Sequence, residues 1–140
     1  MHRLPTMLRA FSISSAVIAC ITTASLSPAP SRAQGVDQTL QRIDALQQLA
    51  AARQRAVNLA RNTVVKLNGG LTKYMPAACM FAPSGGSCLV QQNSQGFYFR
   101  FSGGVPGWQQ LGTPASLSSE IQISPDGRSV VQLIYNGVPR

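Results

Sequence analysis

Residues 34–70 read QGVDQTLQRIDALQQLAAARQRAVNLARNTVVKLNGG. No proline interrupts this stretch, and Ala, Leu, Gln and Arg, all good helix formers, dominate it. Asn68-Gly69-Gly70 is a stop signal, because glycine accepts the left-handed backbone that ends a helix. The spacing therefore predicts one helix over Gln34 to Asn68, with Asp37 as its N-cap and the carboxylate near the positive end of the helix dipole. The apolar residues keep a seven-residue register. One row is Val36, Ile43, Ala50, Val57 and Val64; three residues on, the second is Thr39, Leu46, Arg53, Ala60 and Leu67. Branched residues in the first row and Leu in the second match a parallel two-stranded coiled coil, with Arg53 the discordant member. The alternative is an amphipathic helix lying on the chain's own sheet. Length bears on the choice. The helix would run about 50 Å at 1.5 Å per residue, whereas strands of six to eight residues cover only about 20–27 Å. Part of the stripe must overhang any sheet that follows. The expectation is a homodimer through this helix, with Ile43, Leu46, Ala50, Val57, Ala60 and Val64 at the interface.

From Leu71 onward the apolar period changes to two, with glycine and proline as punctuation. Strands are expected near Ala77–Phe81, Cys88–Gln92, Gly96–Ser102, Leu117–Ser124 and Ser129–Tyr135. In Phe97-Tyr98-Phe99-Arg100-Phe101 the phenylalanines share one face, and Tyr98 and Arg100 the other, as in a half-buried antiparallel strand. Ser124-Pro125-Asp126-Gly127-Arg128 is a turn: Pro presets one angle, Asp bonds the local backbone and Gly takes positive φ. Such turns recur in β-propeller blades, but one occurrence in a chain this short excludes a propeller. The fold class is α+β, a long N-terminal helix followed by a four- to five-stranded antiparallel sheet. The chain divides into a leader (1–33), the helix (34–70) and a disulfide-stapled β domain (71–140).

The leader places the protein outside the cytoplasm. Arg3 and Arg9 precede an apolar run from Phe11 to Leu26, then come Pro28, Pro30 and the small-residue triplet Ser31-Arg32-Ala33. That is the order of a secretory signal cleaved before Gln34. The run is too short and too rich in Ser and Thr to span a membrane, which takes about 20 mainly apolar residues. A second reading stays open. Val17-Ile18-Ala19-Cys20 resembles a bacterial lipobox, which would make Cys20 an acylated first residue and Ile21 to Gly35 a tether. Only in that reading would the protein be held at a membrane.

The whole chain carries a formal charge of +8. Without Arg3, Arg9 and Arg32, nine basic residues face four acidic ones, scattered and without a dense cluster. This suits a soluble surface or loose contact with anionic envelope components and offers no nucleic-acid footprint. Beyond Cys20, two cysteines remain, Cys79 and Cys88. An even pair in an oxidising compartment reads as a disulfide. The intervening Pro83, Gly85 and Gly86 make a turn, so the pair would face each other across a hairpin. In the chain-entropy account such a short loop contributes just under about 3 kcal/mol. A metal site is not indicated, because two thiolates need further ligands and the one histidine is His2 in the leader.

An enzyme is not expected, nor any cofactor. With His2 exported away, no histidine base or triad remains. Asp37 and Asp44 both sit on the helix, Asp126 belongs to its turn and Glu120 stands alone on a strand, so no carboxylate pair is placed for glycosidic chemistry. The glycine pairs precede no helix with a phosphate-binding lysine. The candidate ligand-binding residues are Trp108 and Gln109, in the glycine-rich segment Gly103 to Gln110, with Tyr98 and Arg100. A tryptophan there could stack on a glycan or an apolar peptide group, or could instead cap the small core.

A hydrophobic start, a long helix and a disulfide-bonded sheet resemble type IV pilins and pseudopilins in outline. The family's Phe after the cleavage point and its early Glu are absent, and Pro28 and Pro30 separate the apolar run from the helix, which argues against filament assembly. The stretch from Cys79 through the aromatic strand and Pro106-Gly107-Trp108 to the Asn136-Gly137-Val138-Pro139-Arg140 end resembles small exported cyanobacterial proteins with no assigned function. The reading that follows is an exported, non-catalytic envelope protein that works through self-association or protein contacts.

Overall fold

A computed structural model describes residues 33–140 of the chain. The leader, its cleavage point and Cys20 lie outside the described residues. Helix α1 runs from Ala33 to Leu67, 35 residues without interruption. It is followed by β1 (Met75–Pro76), two 3₁₀ turns (Ala78–Phe81 and Pro83–Cys88), β2 (Leu89–Asn93), β3 (Gly96–Gly104), β4 (Leu117–Ile123) and β5 (Val130–Gly137). The class is α+β, a long helix and a five-stranded antiparallel sheet. No helix among the described residues is long and apolar enough to cross a membrane.

The helix begins within one residue of the expected start, but without the expected cap. Asp37 is not its N-cap but lies inside it, and Thr39 already donates its hydroxyl to the Gly35 carbonyl at 2.8 Å. Its end follows the predicted signal. The Gly70 N–H bonds the Val65 carbonyl at 2.9 Å and the Gly69 N–H bonds Lys66 at 3.3 Å, both glycines at φ 89°. This pair of bonds is the Schellman arrangement, and it satisfies carbonyls that the helix end would orphan.

Strand β3 is the centre of the sheet. Along one edge it pairs with β4 from Phe97↔Ile123 to Gly103↔Leu117, and along the other with β2 and then β1. Strand β5 closes the far side against β4, with bulges that leave Val131 and Ile134 outside the regular pairing. Alternation puts Phe97, Phe99 and Phe101 on one face, as the sequence predicts, beside Ile121 and Ile123 of β4. Tyr74 covers the same face at the end of β3. Its ring occupies the space that a Cβ on Gly103 would need, so glycine there makes room for an aromatic plate over the sheet. The Tyr74 hydroxyl is buried without a hydrogen-bond partner, and burial pushes its pKa up, with nearby Ser119 acting weakly the other way.

Only the lower half of α1 lies on this face. Ala52, Ala56, Val57, Ala60 and Val64 are buried in one cluster with the phenylalanines and isoleucines. Every residue from Gly35 to Ala51 is exposed. The border of the seated half is fastened at several points. Arg53, discordant as a coiled-coil residue, donates to Gln92 Oε1 at 2.8 Å. Arg55 donates twice to the Asp126 carbonyl, at 2.9 and 3.1 Å. Asn68 and Asn136 exchange amide hydrogen bonds at 3.2 and 3.0 Å, and Ser119 donates to Asn136 at 2.8 Å.

The Cys79–Cys88 disulfide is present, but not across a hairpin. The expected strand Ala77–Phe81 is a 3₁₀ turn instead. The ladder to β3 ends where Ala77 N–H meets the Ser102 carbonyl; Met80 then turns inward to the core. The loop between the cysteines folds back beneath the helix. Gly85, at φ 83°, stands where a Cβ would be 2.8 Å from Phe99 Cε1 and 3.1 Å from Val57 Cγ2. Gly85, one of the two glycines that suggested a turn, serves close packing here. The Ser124–Arg128 turn is as predicted: Gly127 N–H bonds the Ser124 carbonyl at 2.9 Å, and Asp126 Oδ1 accepts from Ser124 and from Arg128 N–H.

Two changes check this account. Replacing both cysteines with serine should lower unfolding free energy by about 2–3 kcal/mol, since the bridge closes a loop of sequence separation 9. Gly127→Ala should cost at least about 1 kcal/mol, because φ is 72° and a Cβ there would meet the Ala52 carbonyl of the helix. Urea unfolding of the oxidised protein measures both; a change under a few tenths in either would contradict the packing described.

Candidate functional site

The four sequence-nominated ligand residues divide between two places. Trp108 and Gln109 lie in the segment between β3 and β4, which folds into a compact series of turns. Trp108 N–H bonds the Val105 carbonyl at 3.0 Å, Leu111 N–H bonds Gly107 at 3.0 Å, and Thr113 returns both its N–H and its hydroxyl to Trp108 O. The loop is locked onto the start of the β domain. Indole Nε1–H donates to the Met75 carbonyl at 3.0 Å, and Ala78 N–H donates to Gln109 Oε1 at 2.8 Å. Gly104 admits the indole: a Cβ there would stand 3.0 Å from its Cγ. Trp108 is half-buried, with one side against the core and the other open.

The open side forms the wall of a cleft of about 440 Å³, lined chiefly by Met75, Pro76, Ala78, Phe81, Trp108 and Leu111. Leu111 is 74% exposed and Phe81 50%. Arg61 of α1 lies over the Phe81 ring, 5.0 Å from its centroid, and donates to the Met80 carbonyl, which holds the disulfide loop in place. The cleft is thus preformed: hydrogen bonds and a disulfide fix its two banks. Its volume falls in the range of about 300–1,000 Å³ usual for small-ligand sites.

Tyr98 and Arg100 do not join it. Arg100 is four residues before Gly104, about 13 Å along the strand. These two side chains gather instead around Glu120, which faces Arg100 across the β3–β4 ladder. Tyr98 donates its hydroxyl to Glu120 Oε2 at 2.5 Å. Arg100 Nε and Arg140 Nη2 pair with Oε1 at 3.2 and 3.3 Å, and Arg140 also covers the Tyr135 ring at 4.0 Å. The Tyr98 hydrogen bond, helped by the two guanidinium groups and opposed by burial, holds the Glu120 carboxyl below its ordinary 4.5. Glu120 looks isolated in the sequence; only the strand register, hidden behind a long turn-rich connection, brings its partners to it. All its oxygens are engaged, which makes this cluster a clasp for the C-terminus rather than an open receptor.

The candidate dimer residues also divide. Val57, Ala60 and Val64 are fully buried against the chain's own sheet and cannot meet a second chain. Ile43, Leu46 and Ala50 are free of it.

The clasp predicts a pH dependence. A carboxyl whose folded pKa is lowered stabilises the fold above its unfolded value, and that contribution is lost as pH falls through the folded value. Stability should therefore decline below about pH 4.5. Asp126, likewise lowered by its Ser124 and Arg128 hydrogen bonds, adds to the same slope. Glu120→Gln should cost roughly 1 kcal/mol at neutral pH and flatten the acid limb. Its arginine partners are more than half exposed, so water screens the ion pairs and the hydrogen bond from Tyr98 carries most of the effect. Urea midpoints from pH 7 to 3 for both proteins measure it; parallel curves would remove Glu120 from the account.

Comparison with protein-family models, curated proteins and solved structures finds no match to this chain.

Proposed function

We propose that the protein is an exported envelope protein that works by contacts rather than by chemistry, self-associating through the projecting half of α1. The observation that carries this reading is the uncovered stretch Gly35–Ala51, which presents Leu40, Ile43 and Leu46 at 55%, 44% and 66% exposure. Ile43 and Ala50 belong to one heptad row and Leu46 to the other, so two such helices can seat these residues knobs-into-holes. The seated half supplies the nucleus for the projecting half, which needs no partner to become helical. Export is supported by the signal-like order of residues 3–33 and by the disulfide, a bond kept in oxidising compartments. In this reading the leader is removed after Ala33, or Cys20 is acylated and ties the same assembly to a membrane; the mass of the mature protein separates the two.

Light scattering across a dilution series is the test. A dimer is expected to dissociate on dilution, and Ile43→Asp with Leu46→Asp should give a monomer at all concentrations. Both sites are exposed in one chain, so the thermal midpoint of the diluted monomer should hold within about 2 °C. A parent chain that is monomeric throughout, or a dimer indifferent to the two aspartates, rules the helix interface out.

A second reading, a small binding module, is favoured by the preformed cleft beside Trp108. It and the helix interface use different parts of the chain and are compatible.

A further inference from the structure

The chemistry of the cleft names a ligand class, resting on the binding-module reading above. We infer that the Trp108 cleft takes a linear hydrocarbon chain, any polar end left in water, rather than a sugar or a peptide backbone. Much of the polar backbone that could read hydroxyls or amides there is already engaged. The Met75 carbonyl accepts the indole N–H. Pro76 has no N–H to offer, and Ala78 N–H is bonded by Gln109. Trp108 N–H and Leu111 N–H are held inside their own turns. Besides the indole, the polar side-chain tips of the lining are those of Gln109 and Gln110; Gln109 Oε1 is occupied, and the remaining amide groups belong to residues exposed to water.

A glycan entering this space would strip water from most of its hydroxyls with few groups to replace their hydrogen bonds, and a peptide strand would do the same with its N–H and C=O groups. An extended peptide also needs a strand edge to pair with, and β1 offers none: its two residues end in proline and in a carbonyl already taken. Methylene groups leave nothing unpaired. The walls suit them: a thioether, a proline ring, a methyl group, two aromatic rings and a leucine line the space. The disulfide and Arg61 hold the Phe81 bank, and the indole hydrogen bond holds the Trp108 bank, so the slot keeps its width without a ligand. A slot of fixed length also sets a limit. Affinity should climb with chain length only until the chain outgrows the cleft.

Trp108 is the one tryptophan of the chain, so its fluorescence reports this wall alone. The experiment titrates the full oxidised protein with n-alkanols from hexanol to dodecanol, each below its solubility limit, with maltotriose and a soluble leucine tripeptide as parallel arms. Alkanols are expected to shift the emission to shorter wavelength and saturate at one molecule per chain. Each added pair of methylenes should tighten binding by about tenfold before a plateau. Leu111→Ser should weaken binding at least about fivefold with an unchanged thermal midpoint, because Leu111 is largely exposed in the free protein. Alkanol affinity that ignores chain length, rises without a plateau or ignores Leu111→Ser overturns the hydrocarbon assignment. Saturation by maltotriose or the tripeptide in place of the alkanols overturns it too, while leaving the binding-module reading standing. Silence in all three arms removes both.

Discussion

The structure depends on how closely half of a helix can approach a sheet. Alanine at positions 52, 56 and 60 leaves α1 almost smooth where it meets Phe97, Phe99, Ile121 and Ile123. Bulk then comes from the sheet, as aromatic rings, and from Val57 and Val64 between them. This division of large and small residues lets backbone come near backbone. Gly127 brings the β4–β5 turn against the Ala52 carbonyl, and Gly85 slides the disulfide loop beneath Val57. Neither glycine could carry a side chain, so two remote loops share the tolerance of a single interface. A larger residue at Ala56 would push on all of them together, since interiors this dense transmit strain instead of absorbing it.

A domain of this size leaves little surplus stability after the chain entropy is met. The disulfide therefore matters where it is placed. It closes a segment with no strand or helix of its own beyond 3₁₀ turns, so ladder hydrogen bonds do not hold it. By restricting the unfolded chain there, the bond stabilises the loop that forms one bank of the cleft. The reducing state of the surroundings is thereby linked to the shape of the apolar slot as well as to stability.

Much of this was legible in the residues, for identifiable reasons. The helix announced itself by composition and by its Asn-Gly-Gly stop, and the central strand by phenylalanine at alternate positions; both signals are local and periodic. The Ser124–Arg128 turn was equally local. What escaped is non-local. Glu120 acquires Tyr98 and Arg140 only through register and through the path of the last residues. Ala78–Cys79–Met80–Phe81 is a short apolar run that a strand could hold, yet the chain turns because its ladder partner ends and Gly85 of the following loop packs into the core. Asp37 has the chemistry of a cap, a carboxylate near the start of the helix, but the helix begins at Ala33 and runs through Gly35, a residue that costs only about 1 kcal/mol against Ala. Tyr98 and Arg100 seemed natural companions for Trp108 in sequence; distance along the strand separates them.

The same helix meets two different requirements along its length, and the seven-residue rows explain how. A strict heptad drifts only about 20° per repeat around a straight helix, so Ile43 and Leu46 stay on nearly the same side as Val57 and Val64; they face solvent because the sheet ends before reaching them. Arg53 stands near the changeover. It lies in the apolar row, yet it reaches sideways to Gln92 and marks where the sheet ends. Above it Leu40, Ile43 and Leu46 are left exposed by the described residues of the chain. They are nevertheless held in a fixed array by the anchored turns below, so a partner meeting them would not have to order the helix. That removes a cost which weakens the binding of disordered segments. In the proposed dimer, affinity at this end would be set by how well Ile43, Leu46 and Ala50 pack, and the energetics of the β domain, seated on the other half, would not have to change on contact.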